Sequence, residues 1–150
     1  MRDTATIGQR SLAQTLALVF GIAFLAAGIL GFIPGITTNY GDMTFAGNDS
    51  RAELLGIFQV SILHNIVHLL FGIAGLALAR TWDGARAYLL WGGVIYIVLF
   101  VYGLLVSSTS DANFVPINNA DDWLHLLLGV GLLGSWWISG RERSMAASTA

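Results

Sequence analysis

HNIVHLLFG at residues 64–72 and DDWLHLLLG at residues 121–129 decide the fold, because each places polar side chains inside an otherwise apolar run. Aligned on Asn65 and Asp122, the two stretches share a polar-x-x-His-Leu-Leu-x-Gly pattern, and together they hold all 3 histidines of the chain. Ionisable groups in a membrane segment are costly and normally face the protein interior. The pattern therefore predicts two membrane helices that meet at a polar contact or at a binding site.

The composition also points to the membrane. The chain of 150 residues is 55% hydrophobic and 11% charged, which is about half the charged fraction of a soluble domain. Its length fits one domain, residues 1–150. The net charge of −2 and the absence of a basic run argue against nucleic acid as a partner. Because the sequence has no cysteine, it offers neither a disulfide nor a cysteine metal site.

Four apolar runs predict an all-α fold, a bundle of four transmembrane helices. A helix of about 20 residues crosses a bilayer. The predicted helices cover about residues 11–33, 51–79, 86–106 and 121–139. Ser50 and Glu53 have the spacing of a capping box, which places the start of the second helix there. The helices would form two tandem helical hairpins.

The arginines predict the orientation. All 7 basic residues are arginines, and only Arg51 falls on the side that carries the two longer loops. The positive-inside rule assigns the arginine-rich side to the cytoplasm. We therefore expect both the N-terminus and the C-terminus in the cytoplasm, with the longer loops outside.

Glycines predict close helix packing. Small residues at helical spacing let membrane helices approach each other closely. Such residues recur in all four runs and include Gly21, Gly28, Gly31, Gly72, Gly75, Gly92, Gly103 and Gly129. The second and fourth helices also resemble each other, whereas the first and third align poorly. Parallel repeats occur in transporters, but we favour simple four-helix packing.

The chain resembles the actinobacterial membrane family called domain of unknown function 4383. The resemblance covers most of the chain and rests on long strings. They are GFIPGITTNY at residues 31–40, LGIFQVSILHNIVHL at 55–69, and ANFVP at 112–116 followed by WLHLLLG at 123–129. The resemblance implies a small integral, multi-pass protein of the bacterial plasma membrane, and it assigns no activity.

Three interpretations of the polar residues remain open. In the first, hydrogen bonds among Asn65, His68, Asp122 and His125 form a polar interhelical cluster. Such bonds contribute about 0.6 kcal/mol each in a membrane. This interpretation requires no cofactor, and we favour it.

In the second interpretation, His64 and His68 bind a divalent metal ion or haem b, because residues one helical turn apart present two imidazoles to one ligand. His125 would supply a third nitrogen and Asp121 an oxygen. In the third interpretation the polar residues form a proton or small-solute pathway. That pathway requires an oligomer, since four helices are few for a pore.

No pattern in the sequence predicts an enzyme. There is no serine–histidine elbow, no phosphate loop and no cysteine. Asp121 and Asp122 are adjacent, so they cannot flank a scissile bond, and we expect them to cap the fourth helix. We therefore expect a structural or accessory membrane protein with a polar histidine-containing pocket toward the outer side. Its partners would be the lipid bilayer and a second copy of the chain or a larger membrane complex.

Overall fold

The computed structural model describes residues 10–148, with side chains as far as residue 141. Within this part the protein has four α-helices and three short β-strands. The helices are α1 (Leu12–Leu30), α2 (Ile62–Leu78), α3 (Trp82–Leu105) and α4 (Asn119–Ser148). The strands are β1 (Thr37–Thr38), β2 (Glu53–Leu54) and β3 (Phe58–Gln59), paired antiparallel in the order β1-β2-β3.

Three of the helices have the length and composition of a membrane span. They are α1, α3 and the part of α4 from Asn119 to Arg141, with mean hydropathies of 2.1, 2.1 and 1.2. The apolar helix α2 is shorter, with 17 residues, whereas a perpendicular span takes about 20. Four helices are present among the described residues, as predicted, and three of them have the character of membrane spans. The prediction that α2 also spans the membrane stays a prediction. The orientation of the termini stays a prediction.

The predicted start of the second helix at residue 51 is wrong, because α2 begins eleven residues later at Ile62. Ser50 does not cap a helix; its hydroxyl donates to the carbonyl of Val60 at 2.6 Å. The N-cap is Ser61, whose hydroxyl accepts a hydrogen bond from the backbone N–H of His64 at 3.2 Å.

The intervening segment forms the small sheet, so the chain is mostly helical and not purely α-helical. Leu55 and Gly56 connect β2 to β3 with left-handed backbone angles, φ 58° and φ 68°. Such angles cannot continue a right-handed helix, and they suit the tight turn of a hairpin. The sheet lies between the end of α1 and the start of α2. Buried residues in and beside its strands, Ala52, Leu54 and Val60, form a second small core against which Leu30 of α1 packs.

The helices pack in two antiparallel pairs, α1 with α2 and α3 with α4. The predicted role of the glycines is confirmed. A methyl group on Gly72 would lie 2.6 Å from the backbone nitrogen of Leu25, and one on Gly129 would lie 3.1 Å from that of Ile97. Backbones that approach this closely leave no room for a side chain.

The two pairs repeat each other in space. Residues of α2 correspond to residues of α4 that lie 57 positions later, as Gly72 does to Gly129. Residues of α1 correspond to residues of α3 that lie 72 positions later, as Leu25 does to Ile97. The contact of Gly72 with Leu25 is thus matched by the contact of Gly129 with Ile97. The first and third helices, which align poorly as sequences, therefore correspond in their packing.

Aromatic contacts follow the same correspondence. Phe24 lies beside His68, with ring centroids 5.7 Å apart, and the equivalent Tyr96 lies beside His125 at 5.3 Å. Phe24 and Tyr96 also stack on each other at 5.2 Å. The two helix pairs thus contact each other through equivalent residues.

Candidate functional site

A cavity of about 250 Å³ lies between α2 and α3, near the end of the helices at which α2 and α4 begin. We call this end the histidine end. All three histidines and Tyr96 line the cavity. The rest of its wall is apolar and consists of Leu63, Val67, Phe71, Ile95, Leu99, Phe114 and Val115. Among the described residues, the lining includes no charged side chain.

The starts of α2 and α4 position the histidines. The Ser61 cap places His64 in the first turn of α2 and His68 one turn further on. The two rings lie 4.3 Å apart between centroids. His125 reaches the cavity from the second turn of α4 and is only 3% exposed. The sequence prediction that His68 and His125 face the protein interior is consistent with this arrangement.

The histidine rings have unsatisfied nitrogens. In His64, His68 and His125 the Nδ1 atom is buried and has no hydrogen-bond partner among the described residues. Most buried polar atoms in folded proteins have a partner, and one without it calls for an explanation. Each ring donates and accepts hydrogen bonds. Three such rings at one apolar cavity give it polar groups that the protein itself does not satisfy.

Asp121, which the sequence groups with the histidines as a metal ligand, does not line the cavity. Its Oδ2 accepts hydrogen bonds from the backbone N–H groups of Gln59 and Asn118, both at 3.0 Å. In return, the Asn118 Oδ1 accepts from the backbone N–H of Asp121 at 3.0 Å. This reciprocal cap is the expected helix-capping role, and it also ties β3 to the start of α4.

Asn65 and Asp122, the other members of the predicted polar cluster, lie away from the cavity wall. Asn65 packs against Gly31 and places its Nδ2 3.9 Å from the Met43 sulfur. Asp122 packs against Gly103 and keeps a buried Oδ1 without a partner among the described residues.

Of the four predicted cluster residues, only His68 and His125 meet at the cavity. Neither forms a hydrogen bond to Asn65 or Asp122. The structure therefore brings together two members of the predicted cluster and separates the other two.

A metal site requires its ligands to converge on one point. No group of three or more His, Cys, Asp or Glu side chains among the described residues is arranged to hold a metal ion. The histidines thus share a cavity without forming a compact set of ligands.

The two long loops cover the histidine end. Phe114 and Val115, from the loop between α3 and α4, form part of the cavity wall. The carbonyl of Phe114 accepts a hydrogen bond from the backbone N–H of Gly47, in the loop between α1 and α2, at 2.7 Å. The Asn118 side chain donates to the Ile57 carbonyl at 2.9 Å. The loops therefore hold each other over the cavity.

Two residues of the cavity wall, Tyr96 and Phe114, were not predicted as site residues from the sequence. For Tyr96 a signal existed, since it shares a helical face with Gly92 and Gly103, and it is indeed buried. For Phe114 none existed, because a loop residue has no periodicity that would reveal what it packs against.

The family model described as "Domain of unknown function (DUF4383)" matches residues 14–138. The chain belongs to this family, as the strings at residues 31–40 and 55–69 predicted. No curated protein gives a match, and no solved structure does. The matched range includes the whole cavity lining.

Proposed function

We propose that this member of the family is an accessory protein of the bacterial plasma membrane whose cavity binds a small, neutral, mostly apolar molecule. The observation that carries the proposal is the meeting of all three histidines at one cavity, each with an unpartnered buried Nδ1. Histidines that served only to join helices would each pair with a separate side chain or carbonyl. They would not need a shared space.

The lining determines which molecule fits. Binding sites for small molecules are mostly apolar and have a few polar groups that fix the orientation of the ligand. Here three imidazoles and Tyr96 supply the polar groups, and seven apolar side chains supply the rest. An ionic ligand would have no counter-charge among the lining residues. A volume of about 250 Å³ accommodates a ring or a short chain that carries a hydroxyl or carbonyl group.

The cavity also has a route to the lipid. Val67 and Ile95 form part of its wall and are 50% and 47% exposed on the outer faces of α2 and α3. In a membrane these faces contact hydrocarbon, because the helices are apolar over their length. We therefore propose that the ligand enters sideways from the bilayer, between α2 and α3. The protein would hold it without breaking or forming a covalent bond.

Isotope-labelled histidine tests this proposal, since the chain has only 3 histidines. The purified protein in mild detergent is titrated with 1-naphthol, a neutral aromatic alcohol, while the ring nitrogen signals are followed by NMR. We expect saturable shifts of the His68 and His125 signals. Replacing Val67→Phe should fill the cavity and abolish the shifts. The matched variant Val98→Phe, on a lipid-facing site outside the lining, should preserve them.

Shifts that persist in Val67→Phe would mean that the probe binds elsewhere, and no saturable shift in the parent would contradict the proposal. The absorption spectrum and metal content of the same preparation test the metal or haem interpretation. That interpretation and the proton or solute pathway stay predictions. Stoichiometric bound metal that is lost when any one of the histidines is replaced would favour the metal interpretation over the apolar ligand.

A further inference from the structure

A second open site lies at the opposite end of the helices, which we call the arginine end. A cavity of about 390 Å³ is located there between the start of α1 and the end of α2. It is lined by Arg10, Gln14, Leu18, Leu76, Ala79 and Arg80. Two basic groups thus flank an apolar floor beside the start of α1.

The two arginines give this cavity positive charge. Arg10 and Arg80 are exposed, and neither side chain forms an ion pair or hydrogen bond within the described residues. The carbonyls at the end of α2 would repel an anion, because a helix C-terminus is partially negative. Gln14 covers them: its Nε2 donates to the carbonyls of Ala79 and Arg80 at 3.1 and 3.0 Å. The site therefore favours negative charge.

The internal repeat provides a comparison for this cavity. A shift of 72 residues takes Gln14 to Arg86, and a shift of 57 takes Ala79 to Trp136. Arg86 donates to the carbonyl of Trp136, as Gln14 donates to that of Ala79. In this second pair, however, the Arg86 guanidinium lies between the rings of Trp82 and Trp136, 5.1 and 4.8 Å from their centroids.

The equivalent place is therefore filled by stacked side chains in the α3–α4 pair and open in the α1–α2 pair. The opening does not follow from the helix geometry, which the two pairs share. It follows from the small residue Ala79 and the shorter side chain of Gln14, which leave room between two arginines.

We propose that this cavity binds an anionic phospholipid. The phosphate group would lie between Arg10 and Arg80, and the acyl chains would lie along Leu18 and Leu76. Basic pockets between membrane helices bind anionic head groups in this manner, and each arginine near the surface contributes about 1 kcal/mol. The apolar floor favours a lipid over a free phosphate ion, which would gain nothing from the leucines.

Thermal melting of the purified chain in dodecyl maltoside tests the proposal. Phosphatidylglycerol should raise the melting temperature in a saturable manner, and phosphatidylcholine should not. Glycerol phosphate at equal concentration should have no effect. Arg10→Gln and Arg80→Gln should each weaken the apparent affinity for phosphatidylglycerol about fivefold. Arg141→Gln removes a charge at the same end of the helices, outside the cavity, and should leave the affinity unchanged.

Ala79→Trp supplies a second variant, because it introduces the residue that fills the equivalent place in the other pair. It should abolish the effect of phosphatidylglycerol. If it does not fold, the two exposed arginine variants still decide the question. Equal effects of the two lipids would overturn the proposal. An equal loss of affinity for phosphatidylglycerol in Arg141→Gln would overturn it too, since it would show a general effect of surface charge. Stabilisation by glycerol phosphate alone would also overturn it, since it would show a site for soluble phosphates.

Discussion

Replacing Gly72 by alanine tests the close packing of α1 against α2. The new methyl group would lie 2.6 Å from the backbone nitrogen of Leu25 and 2.8 Å from the carbonyl oxygen of Gly21. Ordinary contacts begin at 3.4 Å, so α1 would have to move by about 0.8 Å, the difference between 3.4 and 2.6. Backbone atoms cannot rotate away as a side chain does. Inserting a methyl group into a packed interface costs about 1–3 kcal/mol.

Because the methyl group meets backbone atoms, the cost falls in the upper part of that range, about 2–3 kcal/mol, and the favourable helix propensity of alanine offsets about 1 kcal/mol of it. We therefore expect Gly72→Ala to lower the free energy of unfolding by about 1–2 kcal/mol. This loss corresponds to a decrease of about 2–8 °C in melting temperature for a chain of this size. The assay is thermal melting in mild detergent, followed by tryptophan fluorescence. Gly134→Ala is the matched control, since a methyl group there meets nothing within 4 Å. The reasoning is refuted if Gly72→Ala melts at the temperature of Gly134→Ala.

Three further predictions concern the caps, a side-chain contact and the orientation. Gly31→Ala should destabilise the protein in melting experiments, and Asn65→Ala should reduce that cost in a double-mutant cycle, because the new methyl group would overlap the Asn65 amide. Asn118→Ala removes the side chain that caps α4 and should lower the free energy of unfolding by about 1 kcal/mol, measured by thermal melting. Single cysteines at Ala46 and Ala112 should react with an impermeant reagent added to intact cells, and protection of both would reverse the predicted topology.

The sequence predicted those parts of the fold that depend on periodicity. Apolar runs located the four helices, and glycines at helical spacing located the faces that pack, such as Gly21 and Gly72. The start of α2 was mispredicted because a local pattern, Ser50 with Glu53, resembled a capping box. That resemblance could not show that Ser50 donates to Val60, ten residues away, since tertiary contacts override local preference.

The site was predictable to a similar extent. His68 and His125 were identified because a histidine inside an apolar helix must face the protein interior, and both line the cavity. The sequence could not show that the cavity lies on one side of the molecule, between α2 and α3. That position depends on how the two helix pairs fit together, and the residues that determine it lie far apart in the chain.

The difference between the two halves of the repeat explains why one predicted site residue is absent from the cavity. A shift of 57 residues takes His64 to Asp121. Both occupy the first turn of a helix, and both backbone N–H groups donate to the side chain of the N-cap residue, Ser61 or Asn118. The Asp121 carboxylate accepts a hydrogen bond from the backbone N–H of the N-cap residue and so completes a reciprocal cap. The His64 imidazole forms no such bond with the backbone of Ser61. His64 therefore lies over the neighbouring turn beside His68, where it lines the cavity. The two helix pairs thus carry different residues at corresponding positions. Asp121 ties the start of α4 to β3, and His64 adds a third polar group to the cavity wall.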